Sequence, residues 1–161
     1  ERFYNFNNWN ALFVKQRVLM KKIFLFTSFI LFSLQTIKAQ DETFTLTVEV
    51  FGLKNNTGKV FLAVFDNEGT FLKTDKEVKG MSVIIENNKA MAQFKGLKKG
   101  EYALSLFHDK NNNNKLDTNF IGIPKEPYAF SNNATGFMGP PSFKDSKISL
   151  NADKTIAIKL N

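Results

Sequence analysis

Thr43-Phe44-Thr45-Leu46-Thr47-Val48-Glu49-Val50-Phe51 alternates apolar and polar residues without interruption. Successive side chains of an extended chain point to opposite faces, so Phe44, Leu46, Val48 and Val50 share one side and Thr45, Thr47 and Glu49 the other. The period of two predicts a half-buried strand. Downstream, Asn55-Asn56-Thr57-Gly58 is a turn, and Lys59 to Asp66 returns as a second strand. It is apolar on both faces, with Val60, Leu62 and Val64 set against Phe61, Ala63 and Phe65. Asn67-Glu68-Gly69 breaks it. Further strands are predicted over Val78–Glu86, Ala90–Phe94 and Glu101–His108, with Gly96 to Gly100 as a turn between the last two. A short strand is expected at Tyr128-Ala129-Phe130, and two more over Lys147–Leu150 and Thr155–Leu160. Short β-rich runs punctuated by Gly and Asn, with no segment of helical period, predict one all-β domain: an antiparallel β-sandwich of about seven to eight strands.

Upstream of this pattern the chain changes character. Met20-Lys21-Lys22 precedes an apolar run from Ile23 to Leu34, and Ile37-Lys38-Ala39-Gln40 follows it. A positive start, an apolar stretch of roughly 7–15 residues and a small residue before the cut describe a secretory signal peptide. Cleavage is expected after Ala39. The run falls short of the roughly 20 apolar residues that a membrane span requires, and Thr27, Ser28 and Ser33 interrupt it. The organisation expected is therefore 1–19 as an upstream extension from a misplaced start codon, 20–39 as signal peptide and 40–161 as the sandwich, secreted or periplasmic in a bacterium. No stable membrane span is expected after cleavage.

That division removes most of the basic charge. Six of the 22 lysines and arginines and one of the 15 acids precede residue 40, leaving 16 bases against 14 acids, a net of +2. The remaining lysines are scattered and no arginine is among them, which argues against nucleic acid, whose binding needs a concentrated basic face. No cysteine is present, so an exported domain must rely on its apolar core in place of disulfides.

Chemistry concentrates in His108-Asp109-Lys110-Asn111-Asn112-Asn113-Asn114-Lys115-Leu116-Asp117. Asp109, Asn111, Asn113 and Asp117 occupy the first, third, fifth and ninth places of a calcium-loop pattern, and Lys115 supplies a backbone carbonyl at the seventh. The twelfth place, where helix-loop-helix calcium sites carry a bidentate glutamate, is Phe120, and the preceding segment reads as strand. Missing oxygens would come from water or from Glu126. With two charged ligands flanked by Lys110 and Lys115, the expected Ca2+ affinity is weak, on the order of 10⁻⁴–10⁻³ M. The competing reading is a loop closed by Asx turns, with side-chain oxygens on nearby backbone N–H groups and no ion.

His108, the only histidine, has no cysteine partners for zinc. It is expected to pack beside the loop and orient Asp109. No serine stands in a nucleophile-elbow context, so a hydrolytic triad is not supported. Glu126 and Asp117 as a hydrolytic carboxylate pair is the least favoured reading, since only folding could bring them to a working separation. Tyr128, Phe130 and Phe143 offer a surface for a protein or glycan partner, or else a satellite core under the long segment Phe120–Phe143.

Several stretches carry a family resemblance: Gly52-Leu53, Gly58-Lys59-Val60, Gly100-Glu101-Tyr102-Ala103, the loop itself, Gly122-Ile123-Pro124-Lys125-Glu126-Pro127-Tyr128 and Gly139-Pro140-Pro141-Ser142-Phe143. The chain resembles the secreted bacterial domain of unknown function 2141 over the whole of its sandwich portion. The resemblance implies an extracytoplasmic immunoglobulin-like or transthyretin-like sandwich, and supplies no activity or catalytic residue. Asn112 and Asn114 stand where that pattern carries glycines, and asparagine tolerates left-handed backbone better than other non-glycine residues.

Overall fold

The computed structural model describes residues 15–21 and 42–160. The chain divides into two units, residues 1–40 and 41–161. Of the first unit only 15–21 are described, and they are helical. Apart from this helix, the expected upstream extension and signal peptide lie outside the described residues. No helix among the described residues is long and apolar enough to cross a membrane.

The second unit is built of eight strands: β1 (Thr43–Phe51), β2 (Lys59–Phe65), β3 (Lys79–Ile84), β4 (Ala90–Lys98), β5 (Gly100–Asp109), β6 (Tyr128–Phe130), β7 (Ile148–Leu150) and β8 (Lys154–Lys159). They form two sheets, β4-β1-β8 and β3-β2-β5-β6, with β7 paired to the first residues of β5. The expected sandwich is the observed one. Its pairings are antiparallel except between β1 and β8, which run parallel with Val48 opposite Ile156.

The alternation read in Thr43–Phe51 is what closes the two layers. Leu46, Val48 and Val50 turn inward to meet Val60, Leu62 and Val64 of β2, Leu104 and Leu106 of β5 and Phe94 of β4, all buried. Each such side chain contributes about 1.5–3 kcal/mol on leaving water. Among the described residues the core cluster runs from Leu46 to Leu160, wholly within the unit from residue 41 onward, which has the size and core of a domain able to fold alone.

Two local departures have physical causes. Gly96 is not in a turn: β4 continues to Lys98, and its pairing with β1 slips between Phe44 and Leu46. Gly96, at φ +71°, is the left-handed residue of that bulge, and the chain reverses only after Lys98. Secondly, β2 is apolar on both faces because its outer face is also covered. Phe71, in the strandless segment after β2, packs edge-on against Phe65 (5.5 Å between centroids), Phe130 (6.3 Å) and Phe143 (5.7 Å), while Phe61 stacks on Phe107 at 5.3 Å.

Beyond β6 the chain follows the edge of β5 without a regular ladder. Leu104 N–H donates to Ser131 Oγ at 2.9 Å, and the Ser131 hydroxyl donates to the Ser146 carbonyl. Ser131 thus replaces a strand rung between β6 and β7. A helical turn, Phe143–Ser146, begins at Ser142, whose hydroxyl accepts from Asp145 N–H at 3.2 Å.

Candidate functional site

β5 delivers His108 and Asp109 to one end of the sandwich, and the chain curls there before returning into β6. Alternation along β5 sends His108 inward with Leu104 and Leu106. Its ring Nε2 lies 2.7 Å from the Thr57 carbonyl, and since a carbonyl only accepts, Nε2 carries the proton. The His108 backbone N–H donates to the Pro127 carbonyl at 2.9 Å. Histidine therefore ties β5 to the turn before β2 and does not orient Asp109, contrary to the sequence expectation. Gly58 makes this approach possible: a Cβ there would sit 2.2 Å from the Asp109 carbonyl oxygen, at a φ of +74°.

Asp109 is fully buried. One of its carboxylate oxygens accepts Asn113 N–H at 3.0 Å and the other Asn114 N–H at 2.8 Å. Asn111 Oδ1 accepts Asn113 N–H at 3.1 Å, and Asn113 Oδ1 accepts Lys115 N–H at 2.8 Å, each an Asx turn. The amide ends of the same two side chains donate to Asp117, Asn111 at 2.7 Å and Asn113 at 3.0 Å. Asn112 and Asn114 adopt φ of 60° and 62°, the left-handed backbone for which the glycines of the family pattern are suited.

Glu126 does something spacing did not reveal. It is buried, and its carboxylate accepts Lys110 N–H at 2.8 Å and Asp117 N–H at 3.0 Å, one oxygen on each. It clamps the two ends of the loop together. Lys125 N–H adds a bond to the Asp117 carbonyl at 2.7 Å. The structure thus brings together Asp109, Asn111, Asn113, Asp117 and Glu126, with Lys115 at the loop's outer turn. Among the described residues no three His, Cys, Asp or Glu side chains form a metal-holding group.

A cation at the loop centre would use oxygens of Asp109 and Asp117, the Lys115 carbonyl and the carboxamides of Asn111 and Asn113. The donor types suit a hard ion. Each of these side-chain oxygens already accepts a hydrogen bond, those of Asp109 from two backbone N–H groups, those of Asn111 and Asn113 in the Asx turns and those of Asp117 from the two carboxamides.

The aromatic residues separate. Phe130 is buried and Phe143 half-buried, both packed against Phe71, so they belong to a satellite core. Tyr128 is 42% exposed and stands 5.8 Å from Phe130. It opens onto a cleft of about 340 Å3 between β6 and the end of β8, lined also by Ala129, Asn133, Thr135, Pro141 and Lys159.

Residues 48–158 match the sequence model of a family described as "Uncharacterized protein conserved in bacteria (DUF2141)". The chain belongs to that family. The match begins within β1 and ends within β8, so it takes in the loop, its clamp and both sheets. No curated protein sequence matches the chain. Two structures of a pilus-presented adhesin, Cpa, are similar. One is 14% identical over 77% of this chain and 28% of the adhesin, with a TM-score of 0.26. The other, a second crystal form, is 16% identical over 74% and 27%, with a TM-score of 0.25. The chain spans a little over a quarter of those structures' length.

Proposed function

We propose that the protein is a secreted, non-enzymatic β-sandwich module. In this reading the loop Asp109–Asp117 takes Ca2+ and rigidifies a surface presented to an extracytoplasmic partner. The observation that carries it is how the acids are used. Asp109 and Glu126 each hold two backbone N–H groups, and Asp117 holds two carboxamides. Carboxylates engaged in this way build a loop, and such a use does not suit the proton-transfer pair that a hydrolase would need at Glu126 and Asp117. The calcium part rests on the oxygen-bearing residue types and their spacing, Asp109, Asn111, Asn113 and Asp117 in one loop. The export part rests on the apolar run behind Lys21-Lys22 and on the Ile37-Lys38-Ala39-Gln40 stretch that follows it.

Calcium should raise the melting temperature of residues 41–161. With a Kd on the order of 10⁻⁴–10⁻³ M, about 10 mM Ca2+ adds about 1.4–2.7 kcal/mol, or on the order of 5–10 °C. Asp117→Asn should retain the metal-free melting temperature to within a few degrees and lose most of the calcium response; Asp109→Ala should lose both. An unchanged melting temperature at 10 mM Ca2+ rejects the calcium part.

The cleft beside Tyr128 favours a second reading, a carrier of a small ligand or glycan. A glycan or metabolite binding screen with Tyr128→Ala as control separates the two, because that substitution leaves the calcium loop untouched.

A further inference from the structure

The segment between Asp117 and Lys125 is a small hairpin of its own. Thr118 and Pro124 form an isolated bridge. Asn119 N–H donates to the Ile123 carbonyl at 2.8 Å, and Gly122 N–H donates to the Asn119 carbonyl at 3.0 Å. The Asn119 side chain accepts Ile121 N–H at 3.1 Å and Ile123 N–H at 2.9 Å. A tip whose backbone donors are paired this way was not needed to fill the core. Phe120 is 99% exposed, Ile121 65%, Ile123 55% and the neighbouring Leu116 36%.

Phe120 and Ile121 are held largely in water on a hydrogen-bonded turn, with Ile123 and Leu116 partly covered beside them, an arrangement unfavourable in water. The paired N–H groups matter as much as the side chains. Entering a low-dielectric medium penalises every unsatisfied amide; the backbone N–H groups of 119, 121, 122 and 123 are paired, and that of Phe120 is left to the headgroup region.

Charge around the tip is sorted. Lys110, Lys115 and Lys125 flank it and are exposed, and among the described residues none of them is ion-paired. The three acids of the same region balance them in number. Asp109 and Glu126, however, are buried on backbone N–H groups, and Asp117 is half-buried under two carboxamides. The apex is therefore apolar, and the exposed charge at the base of the hairpin is lysine, its balancing acids lying inside. That combination is complementary to a bilayer interface carrying anionic headgroups, where aromatic and aliphatic side chains enter the acyl boundary and lysines stay with the phosphates.

We propose that the Phe120–Ile123 tip, with its collar of Lys110, Lys115 and Lys125, docks the sandwich on an anionic lipid surface. This rests on the reading of the module as an extracytoplasmic display platform and gives its partner a chemistry; it does not require calcium.

The unit from residue 41 onward contains no tryptophan, so Phe120→Trp places a single reporter at the apex. With vesicles of phosphatidylcholine containing phosphatidylglycerol, in EDTA, its emission should shift to the blue, and pure phosphatidylcholine should give a much smaller shift. In co-sedimentation, Phe120→Ser should lower partitioning by about tenfold or more, and each Lys→Gln in the collar by about fivefold. Phe137→Ser, at another fully exposed phenylalanine, should change nothing. All these positions are exposed, and unchanged melting curves will show that the variants are folded. Equal sedimentation of the unsubstituted protein and Phe120→Ser overturns the proposal, as does equal binding to neutral and anionic vesicles. Concentration-dependent self-association through Phe120, without vesicle binding, also overturns it and makes a second copy the occupant. Because vesicle binding is read in EDTA and calcium binding by melting, either can fail without the other.

Discussion

Glu126 shows how one buried acid organises a loop. Its two oxygens reach Lys110 N–H and Asp117 N–H, the second and last residues of the nine-residue stretch Asp109–Asp117. A charge-assisted bond to backbone is stronger than a neutral one, and a buried donor left unsatisfied costs about 1–3 kcal/mol. Glu126→Ala strands two such donors, so it should destabilise the fold by about 2–5 kcal/mol, measured by urea denaturation. Glu126→Gln, which retains an acceptor for one donor, should cost less. Tyr102 gives a prediction in pH. Burial first, and then the negative charge of Asp66, raise the pKa of its hydroxyl above the ordinary value of about 10. The folded chain therefore holds this proton more tightly than the unfolded chain. Its contribution is fully present below the unfolded pKa and is lost as pH rises through the folded one. Stability should be flat in this respect near neutrality and fall in strong alkali. Tyr102→Phe should remove that alkaline fall, at a cost near neutral pH of about 1 kcal/mol for the lost bond to the Lys98 carbonyl.

At the scale of elements, the edge of β5 depends on a side chain standing in for a strand. Ser131→Ala removes the acceptor for Leu104 N–H and the donor to Ser146, all within buried surroundings. The expected cost is about 1–3 kcal/mol, and hydrogen exchange at Leu104 should accelerate more than at Leu106. Such a device leaves no period to read. The strands are legible because each is either an alternating run or, like Lys59–Asp66, a short apolar run between turn residues. Thr43–Phe51 was read to the residue, and Lys59–Asp66 and Glu101–His108 to within a residue at each end. Gly96 looks like a turn in the sequence because a bulge and a turn use the same left-handed glycine, and only pairing with β1 distinguishes them. Phe71 was passed over because it lies in an irregular segment, where its burial comes from Phe65, Phe130 and Phe143 far along the chain. At the loop, spacing picks out Asp109, Asn111, Asn113 and Asp117, and the structure joins them in one hydrogen-bonded network of Asx turns and carboxamide–carboxylate bonds. Glu126 was placed near them only as a possible extra ligand, and its grip on both loop ends needed the fold. The aromatic trio divided for the same reason: nothing local in Tyr128, Phe130 or Phe143 says which of them faces solvent.

Across the whole molecule, one core joins both sheets, with every member of the cluster between Leu46 and Leu160. A protein consisting of residues 41–161 should therefore unfold in a single cooperative transition, with fluorescence and circular dichroism midpoints coincident. Two separated midpoints would show that the sheets melt independently. The parallel contact between β1 and β8 sets the order of events during synthesis. The first strand to leave the ribosome needs the last one beside it, Leu46 against Lys154 and Phe51 against Lys159. Until the final segment has emerged, β1 lacks one neighbour and its three-stranded sheet has an open edge. A nascent chain of this design cannot close its three-stranded sheet before β8 has been made, so the unit completes its fold late in its own synthesis.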